Sequence, residues 1–244
     1  MNYISLGYFC SVSMQLEKLG LRDASYPFDW NISDFKGVIE AIDNNFQDFI
    51  EYKFLAQNSL IRNYYKNTKY EIQFFHDFTK YKSLEKQLPA VEKKYARRIK
   101  RFYETIKEPT VFLRYISDES LVEGKSKELI WIENNYDYIM NVIKRYNREN
   151  SIIFIANEGV RSEIIEIHNV TPDAGDHVAR YPLEVNESLQ RIFSNIEKEN
   201  REKNIQRYEQ KLKKEQRLYN RIYRKVCSFM EEKLLREYVH KKLY

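Results

Sequence analysis

Two short apolar runs separated by one long amphipathic stretch constrain this 244-residue chain more than anything else in it. Thr110 to Tyr115 and Ser151 to Ala156 are rich in β-branched and aromatic residues. Pro109 introduces the first, and Asn157-Glu158-Gly159 ends the second, so both read as buried strands. Between them, Lys127 to Arg148 carries Leu129, Ile132, Tyr136, Ile139, Val142, Ile143 and Tyr146 along one side, the spacing of a long amphipathic helix. Strand, helix, strand is a parallel crossover unit. Tyr3-Ile4-Ser5-Leu6 adds a strand before Gly7, and Tyr70 to Phe75 adds another that ends at His76. Phe35 to Phe49 and Leu88 to Ile106 read as further helices, with Pro89 compatible with a first turn. The expected fold is α/β: an open, mostly parallel sheet covered by helices, with the first strand central or next to it.

That layout gives certain side chains a common address, because open α/β sheets bind ligands at the carboxyl ends of their strands. Cys10 follows the first strand and opens a segment, Ser11 to Leu19, with Val12, Leu16 and Leu19 at helical spacing. A cysteine at a helix N-terminus faces unpaired backbone N–H groups and the positive end of the helix dipole. Both favour a thiolate, so the position predicts a lowered thiol pKa and a nucleophilic sulfur. His76, Arg114 and Asn157 follow or end the other expected strands, and parallel strands gather all four residues at one edge. His76 can then take the thiol proton, since an imidazole titrates in the range a general base needs. Asp29 or Asp77 can fix the imidazole tautomer, with Asp29 preferred because Asp77 would point to the other face of an extended chain. Backbone N–H groups at the Cys10 helix can hold an oxyanion. Arg22 or Arg114 can bind a substrate carboxylate or phosphate. Arg22, Asp29 and Trp30 share one loop, Gly20 to Trp30, in which Pro27 forbids further helix. No glycine-rich phosphate loop and no Cys/His cluster with zinc spacing occurs.

Ser5-Leu6-Gly7-x-x-Cys10, then Leu19-Gly20-Leu21-Arg22, then Ser25-x-Pro27-Phe28-Asp29-Trp30 resemble the opening of a bacterial papain-like cysteine peptidase family of unknown function. The resemblance continues at Phe75-His76-Asp77-Phe78, at Tyr95-Ala96-Arg97-Arg98-Ile99-x-Arg101-Phe102 and at Val111-Phe112-Leu113-Arg114, and covers roughly the first 160 residues. It implies a cysteine hydrolase with Cys10 as nucleophile and His76 as base. Relatives of this kind accompany surface-polysaccharide genes, which implies a second reading, an acyltransferase on a glycan precursor with coenzyme A as acyl donor. A third reading is a non-catalytic scaffold that holds an anionic sugar through Arg22 and Arg114. Asp173-Ala174-Gly175-Asp176-His177 resembles the Asp–His pair of serine-type esterases, but the two-residue gap and the Gly-Asp-Ser start are absent, so it reads as a loop.

Composition bounds the rest. The chain is 43% apolar, which suits a globular domain. No apolar run is long enough to span a membrane, and no signal peptide is evident. Two cysteines in unlike contexts, Cys10 and Cys227, argue against a disulfide framework and for a cytoplasmic protein. The net charge of +5 is unevenly placed, with 15 Lys+Arg against 8 Asp+Glu from Glu197 to Tyr244. That tail has no glycine or proline, and Ile205, Tyr208, Leu212, Tyr219, Ile222, Val226 and Phe229 recur at helical spacing. The expected organisation is an α/β domain over 1–195 and a basic amphipathic helix over 196–244. The helix can pack on the domain, dimerise, or lie on an anionic membrane surface. Its alternating charge signs and the lack of a reading motif argue against specific nucleic-acid binding.

Overall fold

The computed structural model describes residues 1–58, 64–194, 196 and 200–243, with side chains described through Ile222. The expected domain end at Asn195 and the side chains of Val226, Cys227 and Phe229 therefore lie outside the described residues. The elements in chain order are β1 (Asn2–Ser5), α1 (Ser11–Lys18), β2 (Asn31–Ser33), α2 (Phe35–Asp43), β3 (Leu55–Gln57), β4 (Tyr65–Asn67), β5 (Ile72–Phe74), α3 (Leu84–Thr105) and β6 (Thr110–Tyr115). They continue with α4 (Lys127–Asn134), α5 (Tyr136–Lys144), β7 (Ser151–Asn157), β8 (Ile167–Val170), α6 (Pro182–Val185), α7 (Glu187–Ser194) and α8 (Arg201–Leu243). No described helix is long and apolar enough to cross a membrane.

The main sheet is parallel throughout, in the order β1-β6-β7-β8, with β1 at one edge. Its strands alternate sides as the pleat requires. Ile4, Phe112, Phe154 and Ala156 face a large core shared with α2 to α5. Tyr3, Leu113, Tyr115 and Ile155 face a second core with α1 and α7. Both faces are covered, so the fold is α/β with helices flanking a parallel sheet.

The structure corrects three expectations about elements. The Tyr70–Phe75 strand is β5, and it belongs to a separate antiparallel sheet ordered β2-β5-β4-β3. Four residues, Thr68 to Glu71, join β4 to β5, and a connection that short can only reverse the chain. The long Lys127–Arg148 helix is two helices broken at Asn135, whose φ of −123° and ψ of 20° leave the helical region. The Asn135 side chain donates to the Trp131 carbonyl at 2.9 Å, the local side-chain bond by which asparagine competes with helix. The Phe35–Phe49 helix stops at Asp43, after which Asn45, Phe46 and Asp48 take positive φ values. Phe46 and Phe49 still reach the core, ringed by Phe28 and Phe102.

Arg114 on β6 joins the two sheets. It is fully buried, and all five of its N–H groups are used. Nε and Nη2 donate to Glu128 of α4 at 3.0 and 2.7 Å; Nη1 donates to the Leu6 carbonyl and to Ser33 Oγ, both at 2.9 Å; Nη2 also donates to the Ser33 carbonyl at 2.7 Å. Gly7 sits at φ +81° against this guanidinium, where a Cβ would meet Ser33 Oγ and lie 3.2 Å from Nη1. Gly20, at φ +71°, lets the first turns of α8 close on α1, and Asn204 donates to its carbonyl at 3.2 Å.

Arg114→Met alone is expected to cost about 3–5 kcal/mol in urea unfolding, because Glu128 is left as an uncompensated buried charge. Adding Glu128→Leu should recover part of that loss but not all, since the Leu6 and Ser33 carbonyls stay unpaired at about 1–3 kcal/mol each when buried. A single variant within 1 kcal/mol of the parent, a margin at the scale of one net hydrogen bond (~1 kcal/mol), would refute this role.

Candidate active site

Because the four strands are parallel, their carboxyl ends share one edge, and four connections converge there. After β1 come Leu6 to Cys10, after β6 Ile116 to Ser126, after β7 Glu158 to Glu166, and after β8 Thr171 to Tyr181. Cys10 occupies the N-cap position of α1 with φ −77° and ψ −10°, and its side chain makes no capping hydrogen bond. The residue is half-buried. Ser13 Oγ lies 3.0 Å from the Cys10 carbonyl and 2.6 Å from the Asp29 carbonyl, which ties the start of α1 to the Gly20–Trp30 loop. Ser11, the next residue, has a buried hydroxyl with no hydrogen-bond partner. A cavity of about 640 Å³ opens beside Tyr8, walled by Ser33, Ser117, Glu119, Glu128 and Trp131. Tyr8 is two residues from Cys10, so its Cα lies within about 7.6 Å of the Cys10 Cα.

The electrostatics of this edge differ from the sequence expectation. Burial pushes the Cys10 thiol up; its own backbone hydrogen bond opposes that, Asp176 adds to it, and Arg180 opposes it. Burial thus sets the direction, and the lowered thiol pKa expected from position is corrected to a raised one. Tyr8 is also pushed up, first by burial, with Ser117 opposing and Glu119, Asp118 and Glu128 adding. Tyr115 rises to about 12, again chiefly by burial, with the Ala179 N–H opposing and Asp118, Asp173 and Asp176 adding. The connections after β6, β7 and β8 hold eight carboxylates against Lys125, Arg161 and Arg180, on a chain whose net charge is +5.

Several expected site residues have other work. Arg22 donates through Nε to the Ala24 carbonyl and to Asp29, through Nη1 to Glu17 and through Nη2 to Ser25, all at 2.7–3.1 Å. Arg114 is saturated and is not open to a substrate anion, and Arg22 is already paired with two carboxylates. Asp29 is fully buried; its Oδ2 accepts from Arg22 and from the Tyr26 N–H, and burial pushes its carboxyl up against the pull of Arg22. Through Oδ2 it pins the loop, while Oδ1 is buried with no hydrogen-bond partner. Asp77 accepts from Tyr95 at 2.9 Å and pairs with Lys94. Trp30 packs between the Arg22 guanidinium, 5.3 Å from its ring, and the His76 imidazole, edge-on at 6.1 Å. His76 is exposed and follows β5 of the antiparallel sheet, beside Trp30, whose loop Ser13 ties to the start of α1. The shared parallel edge that joined His76 to Cys10 is therefore absent. Asn157 is at the edge, but its amide is consumed by Tyr115, Asp118 and the His177 carbonyl. Sequence reasoning passed over Tyr8, Tyr115, Asp118 and Arg180. Their one signal was position just after, or at the end of, an expected strand, and Arg180 had none.

The thiol environment predicts the response of Cys10 to alkylation. With iodoacetamide labelling of the Cys10 peptide followed by mass spectrometry, the pH midpoint should lie above that of an ordinary thiol. Asp176→Asn should lower that midpoint and Arg180→Ala should raise it, because the acid disfavours the thiolate and the cation favours it. Shifts of the opposite sign would show that the 173–180 loop does not face the sulfur.

Comparison with known proteins agrees with the motifs. A family profile described as "Putative papain-like cysteine peptidase" matches residues 1–181. The uncharacterized protein R408 of Acanthamoeba polyphaga mimivirus is 29% identical over 181 residues, covering 66% of this chain and 79% of that protein. No solved structure matches the chain. With an α/β sheet, a half-buried cysteine capping the first helix, and a family profile spanning most of the sequence, the chain belongs to the papain-like cysteine peptidase family so described.

Proposed function

We propose that the protein is a cysteine hydrolase in which Cys10 attacks an acyl carbon held at the carboxyl edge of the main sheet. The observation that carries this reading is Cys10 at the head of α1, half-buried at the carboxyl edge of the main sheet and two residues along the chain from Tyr8, which lines the cavity. The sulfur loses its proton to a base at the same edge and bonds to the carbonyl carbon. The first N–H groups of α1 stabilise the resulting oxyanion. The leaving group departs with a proton, and water then cleaves the thioester. The cavity walled by Ser33, Ser117 and Trp131 receives the acyl portion.

Two other readings fit less well. An acyltransferase fed by coenzyme A would bring several phosphates to an edge where carboxylates outnumber basic residues eight to three. A scaffold for an anionic sugar needs Arg22 and Arg114; Arg114 is fully engaged by the protein itself, and Arg22 is already paired with Glu17 and Asp29. The surplus of carboxylates favours neutral or cationic substrates.

Incubation with fluorogenic peptide amides and peptide thioesters tests the reading. An acyl adduct on the Cys10 peptide is expected, together with product release that Cys10→Ala abolishes. Product release undiminished in Cys10→Ala would remove the thiol from the mechanism.

A further inference from the structure

We infer that His177 is the general base of Cys10, delivered to the thiol by a loop that Tyr115 and Asn157 clamp to the carboxyl edge of the main sheet. The inference rests on the thiol chemistry proposed for Cys10.

The loop's backbone is fixed by its own acids. Asp176 N donates to the Asp173 carbonyl at 2.9 Å, His177 N to Asp176 Oδ1 at 2.8 Å, and Arg180 N to Asp173 Oδ2 at 2.5 Å. Both carboxylates shape the turn, and neither binds the His177 ring in this structure. Two buried side chains of the sheet then hold the loop in place. Asn157 Nδ2 donates to the His177 carbonyl at 2.8 Å. The Tyr115 hydroxyl donates to Asn157 Oδ1 at 2.5 Å and accepts from the Ala179 N–H at 3.0 Å. Each end of the clamp therefore grips the chain within two residues of the imidazole.

The same segment is pressed against the helix that Cys10 caps. Val178 and Ala179 are buried in one cluster with Val12 and Leu16 of α1. Leu183 N donates to Gln15 Oε1 of α1 at 2.6 Å. Asp176 and Arg180, on either side of His177, both act electrostatically on the Cys10 thiol. Asp118 joins them from the β6 connection through Asn157, and Glu158 from the β7 connection through Thr171. His177 is exposed, so its ring is not committed to the core. The other described histidines lack this clamp to the carboxyl edge. His76 lies by Trp30, and His168 is buried on β8 with Nε2 3.7 Å from Glu166. The side chain of His240 is outside the described residues.

A thiol that rests protonated needs such a base. The sulfur proton passes to a His177 ring nitrogen as the S–C bond forms and the carbonyl electron pair moves to oxygen. When the tetrahedral adduct collapses, the bond to the leaving amine or alcohol breaks, and that group takes the proton from the imidazolium. Water then attacks the thioester and gives a proton to His177. The C–S bond breaks and the proton returns to sulfur. Tyr115 and Asn157 are positioning residues, since they act through the loop.

The test uses the full chain and two probes, each read by mass spectrometry on the Cys10 peptide. With p-nitrophenyl acetate at neutral pH, His177→Ala should slow Cys10 acylation by about a hundred- to ten-thousand-fold, the usual share of a general base. Added imidazole should restore part of the rate, and the melting temperature should stay near that of the parent. His76→Ala should acylate at the parent rate. With iodoacetamide at neutral pH, below the raised thiol midpoint, His177→Ala should alkylate Cys10 more slowly than the parent. Equal acylation and an unchanged alkylation rate in His177→Ala would overturn the inference, as would a loss confined to His76→Ala. If the parent is not acylated but its alkylation rate depends on His177, the pairing stands and the hydrolase reading fails.

Discussion

The Arg114–Glu128 pair is the interaction on which the rest of the molecule depends. Moving two such charges into a protein interior costs several kcal/mol per ion, and their attraction offsets this only when the remaining donors are also satisfied. Here they are satisfied, by the Leu6 carbonyl at the end of β1 and by both oxygens of Ser33 at the end of β2. The net stabilisation of such a network is small. Its structural consequence is large, because one guanidinium sets β1, β2, β6 and α4 in a single register. Gly7 passes directly beneath it, and Cys10 follows three residues later. The start of the segment that leads to Cys10 is thus held by a buried charge pair.

Charge also divides the molecule. The carboxyl edge of the sheet is rich in carboxylates, while the described part of α8 carries Lys211, Lys213, Lys214, Arg217 and Arg221 on exposed turns. The acidic edge has a chemical consequence. Its carboxylates add to the burial that pushes Tyr8, Tyr115 and, through Asp176, the Cys10 thiol up. A site of this kind runs on proton transfer during the reaction, not on a thiolate formed beforehand.

Much of the architecture was legible in the sequence because it follows from local periodicity. The strands Thr110–Tyr115 and Ser151–Asn157, the helix after Cys10, and the parallel crossover between β6 and β7 all follow from apolar spacing and from the turn residues that bound it. Cys10 after the first strand was legible for the same reason, and so was the family, through Ser25-x-Pro27-Phe28-Asp29-Trp30. Residue type and spacing determine these features without reference to distant parts of the chain.

Only the tertiary structure decided which residues meet. β5 is a convincing strand by pattern, but pairing direction depends on the length of the connection to β4, and that hairpin carried His76 away from the parallel edge. Arg22, Asp29, Arg114 and Asn157 have the side chains of a binding site, yet partners 81 and 108 residues away made Arg114 a strut, burial paired Arg22 with Asp29 inside their own loop, and Asn157 became a clamp. Asp173 to His177 looked like an unremarkable loop. Its position over α1 follows from Val178 and Ala179 entering a core formed by residues about 165 positions earlier, a contact that no local pattern encodes. A sequence specifies its elements through short-range geometry, whereas the chemistry of a site is set by burial and long-range contacts, which exist only after the elements have packed.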